Sequence, residues 1–354
     1  MKLSASHGDE VKPDSIGIEK GHQYKPRQMT KSYRIALLFI IFATSTIGAA
    51  NAAQFAIKGS HQDSNGVTLQ TVGGAMRIEA CGDRVIHIIA SPTAEFPNSK
   101  VPVVAEPCQA SHLVVKARKK DVKVSTAAVT VSVDTATGAV SFLSKDGKIV
   151  LAEAKDGGKA FDVPALAEMK TWQIQQTFVS PPDESQYGLG QHQEGIFNVR
   201  GVPIRLHQAN TNISVPFMLS SKGYGLLWNN PSLTDFNPAD QAIAIDPATG
   251  KGKFTSGAEG SYGFLLASDN KDQLIVDVDG KHVIDLVNMW TPSAASGVVG
   301  LEANKEYEVS AKGGPGGLQL SARPPQDSTD RDHDSARNLA QLLPLPGARV
   351  SSWS

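Results

Sequence analysis

The chain has 354 residues, 34 Lys and Arg against 35 Asp and Glu, and a formal net charge of −1. That balance lacks the basic excess that nucleic acid or an anionic membrane surface requires. With 40% hydrophobic residues there is material for two cores of ordinary domain size, and the two cysteines, Cys81 and Cys108, stand at no metal-ligand spacing.

The N-terminus reads as an address. Lys31 and Arg34 precede a continuous apolar run over 35–41, which dilutes into Thr44, Ser45 and Thr46, and Ala50-Asn51-Ala52 offers an A-x-A cleavage site. The run stops well short of the roughly 20 residues a spanning helix needs. Residues 1–52 are therefore expected to be a leader with a secretory signal peptide, starting in proportion at Met29, with no membrane anchor after cleavage. A secreted or periplasmic address would place Cys81 and Cys108 in an oxidising compartment. A bridge between them is worth roughly 3 kcal/mol on the chain-entropy account; two buried free thiols are the alternative.

Strands follow almost throughout. Between Met76 and Ile89 two β-rich runs flank Gly82-Asp83, and Val129, Val131 and Val133 alternate with Thr130 and Ser132, so one face is buried. Thr137-Gly138 and Asp146-Gly147 are hairpin turns on either side of 139–143. The basic run 116–123 reads as a solvated strand end. The richest segment is 187–230. There Gly188, Gly190 and Gly195 bracket Gln191, His192, Gln193 and Glu194, so sharp turns present several hydrogen-bonding groups on one loop. Asn210, Thr211 and Asn212 interrupt the next β-run, and 220–223 turn into the apolar stretch 224–228. Amides and carboxylates between β-runs suit a carbohydrate partner.

YGLGQHQ at 187–193, the Asn210-Thr211 pair, VPF at 215–217 and SSKGYGLLWNN at 220–230 resemble, in order and spacing, the N-terminal β-sandwich of glycoside hydrolase family 31. These are the α-glucosidases and α-xylosidases, and the resemblance is nearest the bacterial α-xylosidase branch. It implies a mainly β fold, a galactose-mutarotase-like antiparallel sandwich over 53–240, with no cofactor or metal and a partner among xyloglucan-type or α-glucoside oligosaccharides. It also implies that two Asp residues act by a retaining mechanism in a following (β/α)₈ barrel. After Trp228 the sequence shows neither alternating strands and amphipathic helices nor a match to those Asp-bearing motifs. The expectation is a truncated accessory part of such an enzyme, without catalytic residues. A freestanding secreted carbohydrate-binding or adhesion protein is the alternative. Asn210, Thr211 and Asn212 are the first candidates for sugar contact, with Asn212 where other members carry Asp. Gln191, His192 and Gln193 are the second. A third arrangement, Asp183 with Glu194 as a hydrolytic pair, needs a geometry that only the fold can supply. Trp228 and Tyr224 read as core.

A second unit is expected over 241–325. Strand-like runs at 261–266, 273–278, 283–286 and 305–309 surround the turn Asp279-Gly280. The words SYGFLLASDNKDQLIVDVDGKHVIDLVNMW and GLEANKEYEVS resemble the protective-antigen-type β-sandwich, which implies a role in glycan contact. Asp269, Asp277, Asp279 and Asp285 invite a calcium reading, but EF-hand-like spacing is lacking and turn chemistry accounts for most of them. From 326 to 354 dense charge and scattered prolines predict a disordered or frameshifted tail, with His333 of no chemical role. A sandwich left without its last strands would expose an unpaired edge.

Overall fold

The computed structural model describes residues 54–96, 108, 112–162, 171–210, 212–230, 232–268, 273–286, 293–313, 317–326 and the backbone of 335–344. All belong to the compact unit Ser45–Ser354. The signal-peptide expectation, with Thr211, Asp269 and His333, lies outside the described residues. Every element described is a strand, and no helix among the described residues is long and apolar enough to cross a membrane.

Two meanders come first. The strands β1 (Ile57–Gln62), β2 (Gly66–Thr71), β3 (Ala75–Ala80) and β4 (Ile86–Ser91) form one antiparallel sheet. A second sheet holds β5 (Val114–Ala117), β6 (Asp121–Ser125), β7 (Val129–Asp134), β8 (Val140–Ser144) and β9 (Ile149–Ala152), again in chain order. Alternation puts Val67, Leu69, Met76, Ile78 and Ile88 against Val122, Val124, Val131, Val133 and Val140 in one core. Residues 116–120 are exposed beside it, as a solvated strand end should be.

Behind β9 the chain buries an ion pair. Glu153 accepts from Lys159 and from the Val140 N–H at 2.9 Å, while Lys159 also donates to the carbonyls of Gly138 and Gly157. Burial pushes the Glu153 carboxyl up to about 7 against the pull of Lys159, and burial likewise pushes the Lys159 ammonium down. The strands β10 (Lys159–Asp162), β11 (Thr171–Val179), β12 (Gln186–Gln191), β13 (Ile204–Leu206), β14 (Ile213–Ser220), β15 (Gly225–Leu227) and β16 (Thr234–Phe236) follow. Strands β12, β14 and β15 make a three-stranded sheet. Phe161, Ile174, Phe178, Leu189, Ile204, Met218, Trp228 and Phe236 form the core beneath it, with Tyr224 packed at its margin.

The second unit contains β17 (Gln241–Ile243), β18 (Ile245–Asp246), β19 (Lys251–Thr255), β20 (Gly260–Ser268), β21 (Leu274–Val278), β22 (Lys281–Leu286), β23 (Ser293–Leu301), β24 (Glu306–Lys312) and β25 (Leu318–Arg323). Sheets ordered β17-β25-β20-β23 and β18-β19-β24-β21-β22 enclose Phe254, Tyr262, Phe264, Val276, Ile284, Val309 and Leu320. Phe254 meets the rings of Tyr262 and Phe264 edge-on at 5.4 and 5.7 Å. Asp279 and Gly280, with φ of 51° and 74°, make the tight hairpin joining β21 to β22. Asp277 is engaged by Lys312 and His282, and Asp285 by Gln273, so ordinary pairing occupies two of the aspartates considered for calcium.

Ser335–Pro344 is a strand, β26, paired with β11 along its whole length and with β16 at Thr234 and Asp235. It completes a sheet ordered β10-β11-β26-β16-β13. The reason is backbone chemistry: β11 and β16 each offer a row of N–H and C=O groups, and an extended segment between them satisfies both rows whatever its side-chain period. Between β11 and β16 no row of backbone groups is left unpaired where β26 lies.

Candidate functional site

The three-stranded sheet owes its shape to glycine and proline. Gly188, Leu189 and Gly190 all have positive φ, at 104°, 66° and 109°. A Cβ on Gly190 would lie 1.9 Å from the Ile213 carbonyl oxygen, so only glycine lets the two backbones meet there. Opposite, the register steps from Met218 to Ser214 while β12 moves from Gly188 to Gly190. This bulge lies across Pro216, which has no N–H to give the ladder. The YGLGQ and VPF words are thus two halves of one distortion, and it turns Leu189 into the core.

At this end of the sheet Gln191 pairs with Ile213, next to Asn212. The structure therefore brings the two candidate clusters to neighbouring strand ends. Asn210 is exposed in a tight turn closed by reciprocal backbone hydrogen bonds of 3.3 Å between Ala209 and Asn212. Asn212 is buried, and its Oδ1 has no hydrogen-bond partner among the described residues. Ser214 anchors the turn by donating its hydroxyl to the His207 carbonyl at 2.9 Å. Gln191 and Gln193 are exposed, whereas His192 is half-buried and its Nε2–H donates to the Leu189 carbonyl at 3.0 Å.

A cleft of about 310 Å³ opens beside them, lined among others by Gln191, His192, Glu194, Phe197, Ile204 and Ser296. It lies where the first sandwich meets the second. Glu194 Oε1 accepts from the Ser296 N–H at 3.1 Å, and its buried Oε2 has no partner among the described residues. Ser296 also donates to the Pro203 carbonyl, and Arg323 donates to that of Pro238 at 3.2 Å. Phe197, 81% exposed, leans on Tyr187 with ring centroids 4.9 Å apart and leaves a free aromatic face at the mouth. Sequence reasoning missed Phe197. Its signal was an aromatic residue inside the polar EGIFNV stretch, too short a run to separate from core.

The carboxylates do not form a hydrolytic pair here. Asp183 is exposed and bound to Lys222, and it does not line the cleft; Glu194 is the one carboxylate among the lining residues. Retaining hydrolysis needs two carboxyl groups about 5 Å apart. Glu184, buried nearby in sequence, accepts from Ser180, Gln186, Ser220 and Tyr224 and so ties the stretch 180–186 to the turn 220–224. Burial and that carboxylate push the Tyr224 phenol well above its usual range. Trp228 is buried in the same core.

Residues 75–237 match the sequence profile of the glycosyl hydrolase 31 N-terminal galactose mutarotase-like domain. The alpha-xylosidase of Saccharolobus solfataricus is 34% identical over 118 residues, 31% of this chain and 16% of that protein. The uncharacterized family 31 glucosidase ORF2 of Pseudescherichia vulneris is 44% identical over 62 residues, 18% of this chain and 12% of its own. The crystal structure of the GH31 alpha-xylosidase from Xanthomonas citri superposes with a TM-score of 0.64 at 23% identity, covering 83% of this chain and 38% of that one. At that identity the likeness is one of fold, and a share so large includes strands of the second unit. The chain spans well under half the length of each of these proteins. The sandwich of residues 75–237 is a galactose mutarotase-like domain of the glycosyl hydrolase 31 type.

Proposed function

We propose that this chain is the N-terminal, sugar-handling accessory part of an exported α-xylosidase or α-glucosidase of family 31, inactive by itself. The observation that carries the reading is the profile match over 75–237 together with a cleft that holds a single carboxylate. In this role Phe197 offers its face to a pyranose ring, while the Gln191 amide and His192 hydrogen-bond hydroxyls. Asn210, Asn212 and Gln193 extend the contact from the neighbouring strand ends. The second unit, of protective-antigen type, closes the cleft from the side of Ser296.

Two measurements test this. The purified chain is expected to show no turnover of p-nitrophenyl α-xyloside or α-glucoside, since among the described residues no second carboxylate lines the cleft beside Glu194. Turnover abolished by Glu194→Gln would overturn the reading. Calorimetry with xyloglucan oligosaccharides is expected to give a Kd of about 1 mM or weaker, because an open cleft makes few contacts for the ordering it imposes. Micromolar binding lost in Phe197→Ala would instead favour the freestanding carbohydrate-binding protein. Export predicts a mature chain beginning at Ala53, which the intact mass of secreted protein checks.

A further inference from the structure

A second polar cluster lies far along the chain from the cleft residues, on the hairpin of β3 and β4. One face of this hairpin gives Met76, Ile78, Ile86 and Ile88 to the core. The opposite face carries Arg77, Glu79 and Cys81 on one side of the turn and His87 on the other, by the alternation of side chains along a strand. Glu79 and His87 are direct cross-strand partners. Cys81 extends the ladder through its N–H to the Val85 carbonyl at 2.9 Å. Cys108 reaches the same place from a distant segment and is joined to Cys81 in a disulfide.

His87 is 6% exposed, and among the described residues only one of its ring nitrogens is hydrogen-bonded. Nδ1 is hydrogen-bonded to Glu79 Oε2 at 3.1 Å, and Nε2 is buried without a hydrogen-bond partner among the described residues. Glu79 is itself fixed, accepting from Arg77 Nε at 2.7 Å, and Arg77 is held by Asp63 at 2.7 Å and Thr68 at 2.9 Å. A buried acceptor left alone costs free energy and calls for an explanation. The explanation lies alongside: one ring nitrogen of His87 and the sulfurs of Cys81 and Cys108 all lie within 4.8 Å of one another. Donors bound to one ion at about 2.0–2.3 Å span a similar distance. A carboxylate on one ring nitrogen is the arrangement that orients and strengthens a histidine that binds a metal through the other.

We propose that Cys81, Cys108 and His87 form a redox-gated site for a soft d¹⁰ cation, Zn²⁺, with Glu79 as the residue that positions His87. The disulfide state closes the site, because both sulfurs are spent on each other. A dithiol reductant opens it: the disulfide takes up two electrons and two protons, and the dithiol is oxidised to its own disulfide. Zn²⁺ then displaces the two thiol protons, forming two zinc–thiolate bonds and one bond to His87, a neutral set with a fourth position for water. Sequence spacing gave no hint of this. The ligands come together only through the hairpin and the arrival of Cys108.

The test uses the full chain, reduced with a dithiol and freed of reductant under nitrogen. Co²⁺ is the probe, read by thiolate-to-cobalt charge transfer and by Zn²⁺ competition. One Co²⁺ per chain is expected in the reduced protein and none in the oxidised protein, with the band lost in Cys81→Ser. Glu79→Gln leaves all three ligands in place and is expected to weaken affinity 10–100-fold. His87→Gln is expected to abolish the nitrogen-dependent part of the spectrum, and the oxidised variant's circular dichroism reports whether it folds. Reduced wild-type chain that takes up no Co²⁺, or uptake unchanged by both Glu79→Gln and His87→Gln, overturns the proposal.

Discussion

Strands β14 and β20 have similar apolar content and opposite fates. On β20, Tyr262, Phe264 and Leu266 fill the core of the second unit, while Leu265 on the other face is also buried and Gly263 sits so close to Pro203 that a Cβ would lie 2.3 Å from its ring. Both faces are covered. On β14, Met218 and Ser220 point inward, but Ile213, Val215, Phe217 and Leu219 stand 36–49% exposed in a row on the other face. Contiguous apolar surface of this kind marks a contact region. Under the proposed function another part of a full-length glycosidase covers it, as the first sandwich covers β20. The lesson is that burial on a second face is decided by neighbours, not by the strand's own sequence.

The sharpest way to break this contrast is to damage the closed regions. Phe264→Ala opens a cavity between two sheets that cannot collapse, and a loss of about 3–5 kcal/mol is expected by urea unfolding. Lys159→Met should cost a similar amount, about 3–5 kcal/mol, because it strands the Glu153 carboxylate in the core; adding Glu153→Gln should recover most of it. The pair also has a pH signature. With the folded carboxyl raised to about 7 from its ordinary 4.5, the folded state holds the proton more tightly than the unfolded state. The stability Glu153 contributes is therefore complete below pH 4.5 and lost as pH rises through 7. Urea midpoints at pH 4.5 and 7.5 should fall further with pH in the wild type than in Glu153→Gln, and an equal fall in both would refute the assignment.

A smaller effect is expected at the bulge that links the open sheet to the site. Gly190→Ala places a side chain at φ +109° against the Ile213 carbonyl, and a loss of about 2 kcal/mol is expected, with weakened oligosaccharide binding where the Gln191 loop shifts. Gly195→Ala, whose Cβ would meet nothing, isolates the cost of positive φ alone. If the two variants unfold alike, the close approach of the backbones contributes nothing.

Much of this was legible beforehand. The valines of β7, the turns at Thr137-Gly138 and Asp146-Gly147 and the Asp279-Gly280 hairpin follow from local chemistry, and local chemistry is written in sequence. The GLG and VPF words could be recognised as a pattern, but their joint meaning as one bulge needs the register of β12 against β14. Residues whose role depends on distant partners stayed hidden. Phe197 needed the cleft, His87 needed Cys108, and β26 needed the slot between β11 and β16. Asn212 was legible as a polar interruption, yet its burial comes from the turn at Ala209 and could not be read from its neighbours.

The smallest expected effect sharpens the comparison most. Val215→Thr and Leu219→Gln change outward positions of β14 that have no core neighbours to lose, so each should alter unfolding free energy by no more than about 0.5 kcal/mol. The equivalent change inside, Val276→Thr on β21, buries a hydroxyl in a fully closed core and should cost about 1–3 kcal/mol. If the β14 face is an uncovered contact surface, the first pair should also lower binding of an apolar dye and self-association in concentrated solution while leaving the fold intact. A large loss of stability from Val215→Thr would mean that the face is already covered within this chain, and β14 and β20 would then differ in degree only.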